Sequence, residues 1–304
     1  MLKVPSGACI LNARRSGTVI PAFNIPYLPM MQPVVAALRD ADSFGFIAVA
    51  RLEWIKFESR SMRAVFEEYQ RTKDERFTRL HLDHVPVIDE DDIRVDFEAV
   101  IEEALRTGYD SVMVDGSRLT LEENIRATKA IVEIAHRTGT PVEGELGAVL
   151  GHESGPLPLY EELYSTGRGF TDPDQAKRFA GETGVDWLSV AVGNVHGAIS
   201  AVSRRKEKVE ARLNIPRLRR IRQMTAVPLV LHGGTGIRKE YLKDAFQSGI
   251  AKINIATAIR QPYEENIAKS VAVAQQAVYD SALRLLTEEL DLRGSRRTIN
   301  PEFS

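Results

Sequence analysis

The chain has 304 residues, 43% of them hydrophobic, with 40 lysines and arginines against 42 aspartates and glutamates. A formal net charge of −2 excludes the basic footprint that nucleic acid or an anionic membrane selects. No apolar run approaches the ~20 residues of a membrane span, Met1-Leu2-Lys3-Val4-Pro5 lacks a signal peptide's apolar core, and the single cysteine, Cys9, forbids a disulfide framework, so a cytoplasmic protein is expected.

Short β-rich runs then alternate with amphipathic helical patterns along the whole chain. Residues 18–23 form the first strand candidate, followed by a helical pattern at 32–40 and strands at 46–50 and 77–82. Residues 85–96, rich in acids, are expected as a solvated loop. A helix at 97–107 leads to a strand at 111–114. A longer helix at 121–137 carries Ile125, Ala127, Ile131, Ile134 and Ala135 on its apolar side. After a strand at 141–146, Asp172 is a good N-cap and Pro173 a good first residue for a helix at 174–183. Strands at 187–192, 228–231 and 251–255 alternate with helices at 215–224, 239–248 and 261–290. Gly108, Gly139, Gly184 and Gly249 each sit just before a strand, as helix-terminating glycines should. Eight strands, each followed by helix with no compositional break, predict a closed (β/α)8 TIM barrel. It spans residues 1–304 as one domain, with a helical extension from about 261 to 304. A doubly wound open sheet is the alternative, but it gives no reason to stop at eight strands.

In such a barrel the active site lies at the carboxyl ends of the strands. The polar residues there are Asn24, Arg51, Asp83 with His84, Asp115 with Ser117, Glu145, Asn194 with His196, His232, and Asn254 with Thr257. Three histidines each follow a hydrophobic run: His84 behind Asp83, His196 in Gly193-Asn194-Val195-His196-Gly197, and His232 in His232-Gly233-Gly234-Thr235-Gly236. Three neutral imidazoles from separate strands make a zinc site with a coordination position left open. Asp83 either supplies an acid–base group or only orients a histidine. His81, on the same strand face, reads as a packed barrel residue. His136, in a helix's last turn, suits the dipole there. Period-two alternation puts Glu143 and Glu145 on one face, either as hydrogen-bond partners of a histidine ligand or, with Asp115, as a second cation position. Glu153 lies in a long loop before Thr171, as a mobile base or as an exposed glutamate. Gly197, Gly233-Gly234-Thr235 and Asn254-Ile255-Ala256-Thr257 bring backbone N–H groups and hydroxyls to adjacent late strands. Barrels bind phosphate there, so a phosphorylated small molecule is the expected substrate.

At these residues the chain resembles the class II, metal-dependent ketose-bisphosphate aldolases, the group of fructose- and tagatose-bisphosphate aldolases. The resemblance runs from about Pro21 to Thr257. It is carried by His81-Leu82-Asp83-His84, Ser111-Val112-Met113-Val114-Asp115-Gly116-Ser117, Glu122-Glu123-Asn124-Ile125, Val142-Glu143-Gly144-Glu145-Leu146-Gly147, Thr171-Asp172-Pro173, Val195-His196-Gly197, the His232 turn and Lys252-Ile253-Asn254. It implies one zinc ion per chain held by His84, His196 and His232. Asp115 and Glu145 match positions that support it or hold a second divalent or a monovalent cation. Asp83 matches the acid–base group at the aldehyde oxygen, and Glu153 the loop glutamate that moves the proton on dihydroxyacetone phosphate. Gly197, Gly233, Thr235, Asn254 and Thr257 match the triose-phosphate site, and Asn24 a substrate-contacting asparagine. The resemblance also implies a homodimer or homotetramer.

Four positions depart from the family. Arg51 replaces a small hydroxyl residue, Arg118 a histidine, and Ala258 an acid, while Arg260 adds a further guanidinium. Arg51 and Arg260 are therefore candidates for specificity, and the acceptor aldehyde is expected to differ from that of fructose 1,6-bisphosphate. Two other readings compete. Lys252 lies two residues before Asn254 and so points into the barrel, where a buried lysine can form a Schiff base; the three histidines would then have no role. A non-catalytic metal-binding barrel, acting as a regulatory subunit, should have lost Asp83 or Glu153, and both are present.

Overall fold

The structure, a computed structural model, describes residues 3–149, 160–195 and 211–301. Eight parallel strands close into a barrel in chain order: β1 (Ile20–Asn24), β2 (Gly45–Ala50), β3 (Thr78–Pro86), β4 (Ser111–Asp115), β5 (Val142–Leu146), β6 (Trp187–Val190), β7 (Leu229–Leu231) and β8 (Ile250–Ile255). β8 closes on β1 through Ile20 opposite Lys252 and Ala22 opposite Asn254. The ring of helices comprises α2 (Met31–Asp40), α3 (Arg51–Ile55), α4 (Met62–Thr72), α5 (Phe97–Thr107), α6 (Leu121–His136), α7 (Tyr160–Thr166), α8 (Pro173–Thr183), α9 (Ile215–Met224), α10 (Lys239–Gln247), α11 (Thr257–Asn266) and α12 (Val271–Arg284). The fold is the (β/α)8 barrel that the alternating pattern predicts.

The strands are buried on both faces, which is why they read as nearly continuous apolar runs rather than alternating ones. Their outward side chains, among them Ile47, Leu82, Val112, Leu188 and Ile253, join the helices in one large apolar cluster. Inward side chains low in the barrel, including Ile20, Phe46, Trp187 and Val230, form a second cluster with Phe44 and with Cys9, Ile10 and Ala13 of α1 (Ser6–Ser16). α1 thus plugs the end opposite the strands' carboxyl termini. The four stop glycines all adopt left-handed φ, from 72° to 106°, and Asp172 caps α8 through the backbone N–H groups of Asp174 and Gln175.

Several local expectations change. The helical stretch at 261–290 is not one helix. It begins earlier, at Thr257, breaks after Asn266, and restarts where the Ser270 side chain accepts from Val273 N to cap α12. Farther on, α13 (Arg296–Ile299) returns to the floor, where Ile299 joins the α1 cluster. The acidic stretch at 85–96 is not simply solvated, because Asp89 is buried and accepts from Ile93 N, Asp91 N and Arg51. Helices α1, α3, α4 and α7 have no counterpart in the sequence pattern. Among the described residues, no helix is long and apolar enough to cross a membrane.

Candidate active site

Among the described residues the strand ends bring Asp83, His84, Asp115, Glu145 and His232 together, and β3 contributes most. Its pairing with β4 shifts register between Leu82 and Val85, and His84 takes a φ of 30°. In a regular strand Asp83 and His84 would face opposite sides. The bulge lets two consecutive side chains serve the same cavity. Left-handed backbone at a non-glycine residue costs about 1–3 kcal/mol and persists only where packing over-determines it. Ligand atoms of Asp83, His84 and His232 lie within 4.8 Å of one another, and so do those of His84, Asp115 and Glu145.

Hydrogen bonds fix both imidazoles. A carboxylate only accepts, so the Nδ1–H of His84 donates to Asp115 Oδ2 (3.1 Å) and the Nε2–H of His232 donates to Glu143 Oε1 (2.8 Å). The remaining nitrogens, His84 Nε2 and His232 Nδ1, face each other at 2.7 Å. At that distance the two nitrogens share a proton, which the charged His84 donates to His232 Nδ1; without that proton both would offer lone pairs to a cation. A carboxylate behind each ligating imidazole is the arrangement that orients metal-bound histidines. Glu145 adds a second sign. Its Oε2 is buried without a hydrogen-bond partner, 3.7 Å from His84 Nδ1 and 3.6 Å from His232 Nδ1. This donor set fits a divalent cation such as zinc, which takes imidazole and carboxylate ligands.

The charges follow from burial working against neighbours. Burial disfavours the charged form of His84, but Asp83, Glu145 and Asp115 outweigh it and push its pKa up to about 10. Burial and the His84 charge together lower His232, so the pair holds its proton on His84. Burial opposes ionisation of Asp83 too, yet His84 and Lys252 hold its carboxyl well below the usual range. Asp115 and Glu143 are both brought down to about 2 against burial, the first by its bond from His84, the second by Lys252 and His232. Glu145 goes the other way: burial and the neighbouring Asp115 raise it well above an ordinary glutamate.

Asp83 is held as an acceptor from both sides. Asn24 Nδ2 donates to Oδ2, and Asn254 Nδ2 lies 2.9 Å from both oxygens. Asn24 and Asn254, expected as substrate contacts, therefore also fix this carboxylate. Beyond β7, Gly233 takes a φ of 65°, and a side chain on Gly234 would meet the Asn254 carbonyl oxygen at 2.8 Å, so this turn admits only glycines. Thr235 Oγ1 and Asn254 Oδ1 are buried without hydrogen-bond partners, and Thr257 opens α11 beside them. Unsatisfied hydroxyl and amide groups next to a helix N-terminus suit an oxygen-rich anion. Asn194 locks the turn from the side by donating to the His232 carbonyl.

His196, Gly197 and Glu153 lie outside the described residues. The arginines meet acids: Arg51 with Asp89 (3.1 Å), Arg118 with Asp92 (2.7 Å) and Arg260 with Glu264 (2.6 Å). For Arg51 this is the pairing alternative to an anion-binding role. His136 pairs with Asp186 at a helix end, away from the site, as expected. Glu53 escaped the sequence reading. It is buried, accepts from Ala50 N at 2.9 Å, and is pushed up to about 8 mainly by burial. Its one signal, a glutamate three residues past a strand end, is too common to single it out.

The model of the family described as fructose-bisphosphate aldolase class-II matches residues 5–293. Among solved structures, the YdjI aldolase from Escherichia coli K12 is 28% identical, with 97% of this chain and 100% of that chain covered and a TM-score of 0.75. A protein from Coccidioides immitis, assigned provisionally as a fructose-1,6-bisphosphate aldolase, is 25% identical over 98% of each chain, also at a TM-score of 0.75. The fructose-bisphosphate aldolase from Campylobacter jejuni, 19% identical over 95% of this chain and 96% of that one, shares the fold at a TM-score of 0.69.

Proposed function

Since this chain belongs to the class II fructose-bisphosphate aldolase family, an enzyme family of carbon–carbon lyases, we propose that it cleaves a ketose (bis)phosphate reversibly to dihydroxyacetone phosphate and an aldehyde. The observation that supports the metal-dependent form of this reading is the donor set of Asp83, His84 and His232, with a carboxylate behind each imidazole and the unpartnered Glu145 Oε2 buried beside them. His84 and His232, with His196, would hold zinc, and Asp115 and Glu145 would support it or take a second cation. A divalent ion bound there supplies Lewis acidity toward the substrate's carbonyl oxygen.

The chain's own groups handle the protons. In cleavage, Asp83 removes the proton from the hydroxyl whose carbon becomes the aldehyde. The carbon–carbon bond breaks, and Glu153 delivers a proton to the carbon left on the dihydroxyacetone phosphate half. In condensation both transfers reverse. Asp83 suits its part because His84 and Lys252 keep it ionised while Asn24 and Asn254 aim it. Gly197, Gly233, Thr235, Asn254 and Thr257 would cradle the phosphate. The Schiff-base alternative is disfavoured by the anchoring of Lys252, whose ammonium bonds Glu143 at 2.8 Å and is wholly buried.

Substrate choice is the finer part of the proposal: an acceptor other than that of fructose 1,6-bisphosphate, selected in part by Arg51 and Arg260. Arg51 stays partly exposed beside Asp89, so an incoming carboxylate or phosphate would compete with that carboxylate for the guanidinium. The test is turnover of a panel of ketose phosphates by protein stripped with a chelator and reloaded with zinc. Normal cleavage by stripped protein overturns the metal reading. Fructose 1,6-bisphosphate as the best substrate, with ranking unchanged in Arg51→Ser, overturns the specificity reading.

A further inference from the structure

Directly beneath the metal-binding donors lies a second constellation of the same kind. His81, Asp83 and Glu143 each offer one ligand atom, all within 4.8 Å of one another. His81 Nε2 is 3.6 Å from Asp83 Oδ1 and 3.5 Å from Glu143 Oε2, and has no hydrogen-bond partner of its own. By donor type alone this is a cation site. A cation is already there: the Lys252 ammonium is 2.8 Å from Glu143 Oε2 and 3.8 Å from Asp83 Oδ1, the same two oxygens that face His81.

The geometry points to Lys252 as a tethered cation that takes a metal's place in the lower cluster and thereby positions the upper one. Two side chains belong to both levels. Asp83 offers Oδ1 to the lysine and presents its carboxylate to the cavity above. Glu143 binds Lys252 through Oε2, where Trp187 Nε1 also donates at 2.5 Å, and holds His232 through Oε1. One ammonium thus adds its charge to the Asn24 and Asn254 bonds that hold the proposed acid–base group and, through Glu143, fixes the tautomer of a proposed metal ligand. It also restricts the lower position to a single positive charge that cannot exchange. A mobile divalent ion there would compete with the upper ion for Asp83. Lys252 does not touch substrate, so it is a positioning residue, and this role rests on the aldolase reading above.

The design predicts a specific gain. Lys252→Ala removes the ammonium and most of its stem, leaving a vacancy lined by His81, Asp83 and Glu143. That vacancy should accept a small free cation, and methylammonium is the probe nearest to what was removed. The experiment measures aldol cleavage by zinc-loaded Lys252→Ala and, separately, thermal unfolding of the chelator-stripped variant, each with methylammonium or with tetramethylammonium at equal ionic strength. Cleavage should fall about 10²-fold, the scale of a misplaced reacting group, and methylammonium should restore it several-fold while tetramethylammonium, too large for the vacancy, does not. The unfolding temperature of the stripped variant should rise with methylammonium alone. Lys252→Met, which fills the space without charge, should be impaired and unresponsive to either salt. Equal responses to both ammonium ions, or full activity of Lys252→Met, overturns the proposal. If Lys252→Ala does not fold, the proposal is tested by whether methylammonium but not tetramethylammonium restores a folded circular-dichroism spectrum. The unfolding readout needs no turnover, so failure of the aldolase reading leaves this test intact.

Discussion

Low in the barrel interior, the inward positions hold Ile20, Phe44, Phe46, Trp187 and Val230; nearer the strands' carboxyl ends, β3, β5, β8 and the turn after β7 bury Asp83, Glu143, Glu145, Lys252 and His232. The lower level is held by dispersion and the exclusion of water, which ask only for shape. The upper level is held by directed contacts, in which each carboxylate needs a named cation or N–H donor. Trp187 spans the boundary, its ring in the apolar cluster and its Nε1–H on Glu143. The two levels therefore respond differently to damage. Loss below should cost stability and spare the chemistry of whatever folds. Loss above should cost chemistry and spare the fold, provided no charge is left buried and unpaired.

The largest effect belongs to the upper level. His232→Ala removes a ligand and frees Glu143 Oε1, so metal content after gel filtration and turnover should both fall by more than the ~10²-fold that even an outer-shell partner commands. Stoichiometric zinc in that variant would break the contrast. Next come the proton-transfer residues. Glu153→Ala should suppress solvent exchange of the hydroxymethyl proton of dihydroxyacetone phosphate, whereas Asp83→Ala should spare part of that exchange and block bond formation, each loss being at least ~10²-fold. Equal loss of both steps in both variants refutes the division. In the lower level, Phe44→Ala should lower stability by about 3–5 kcal/mol, read by denaturant unfolding, with kcat of the folded protein unchanged. A kcat defect there would show that the floor tunes the site directly.

The last effect sits at the edge of the upper level. Glu53 has a folded pKa raised from 4.5 to about 8 by burial. The folded state then binds more protons than the unfolded one between those values, so this group makes stability fall as pH rises through that window. In Glu53→Gln that part of the slope should vanish, as measured by unfolding free energy at pH 5 and pH 8. An unchanged slope would mean that Glu53 is ionised in its pocket.

The sequence made the barrel legible because its signals are local: apolar runs of strand length, and glycines where helices must stop. The donors at strand ends were legible for the same reason, since Asp83, His84 and His232 each follow such a run. What escaped depended on contacts distant in the chain. α1 reads as an unremarkable N-terminal stretch until Cys9, Ile10 and Ala13 meet the barrel floor. Asp89 looks like one of four loop acids, and only Arg51, 38 positions away, makes it a buried partner. Glu143 and Glu145 share a face by alternation, but which of them holds His232 depends on Lys252, on a strand far along the chain. The bulge that turns Asp83 and His84 the same way has no glycine to announce it.

The return of the chain to the barrel floor bears on how the protein is made. Asn12 Nδ2 donates to the Ile299 carbonyl, Arg296 pairs with Asp42 at 2.7 Å, and Asn300, fully buried, donates to the carbonyls of Glu75 and Arg76. The floor is a seam between the earliest and the latest residues described. A growing chain acquires every strand by Ile255, yet it cannot seal the amino-terminal end of the barrel until some forty-five further residues have left the ribosome. Until then the apolar cluster around Phe44 and Ile10 lacks Ile299. A chain that has emerged only as far as Ile255 therefore has every strand of the barrel above a base that is still open.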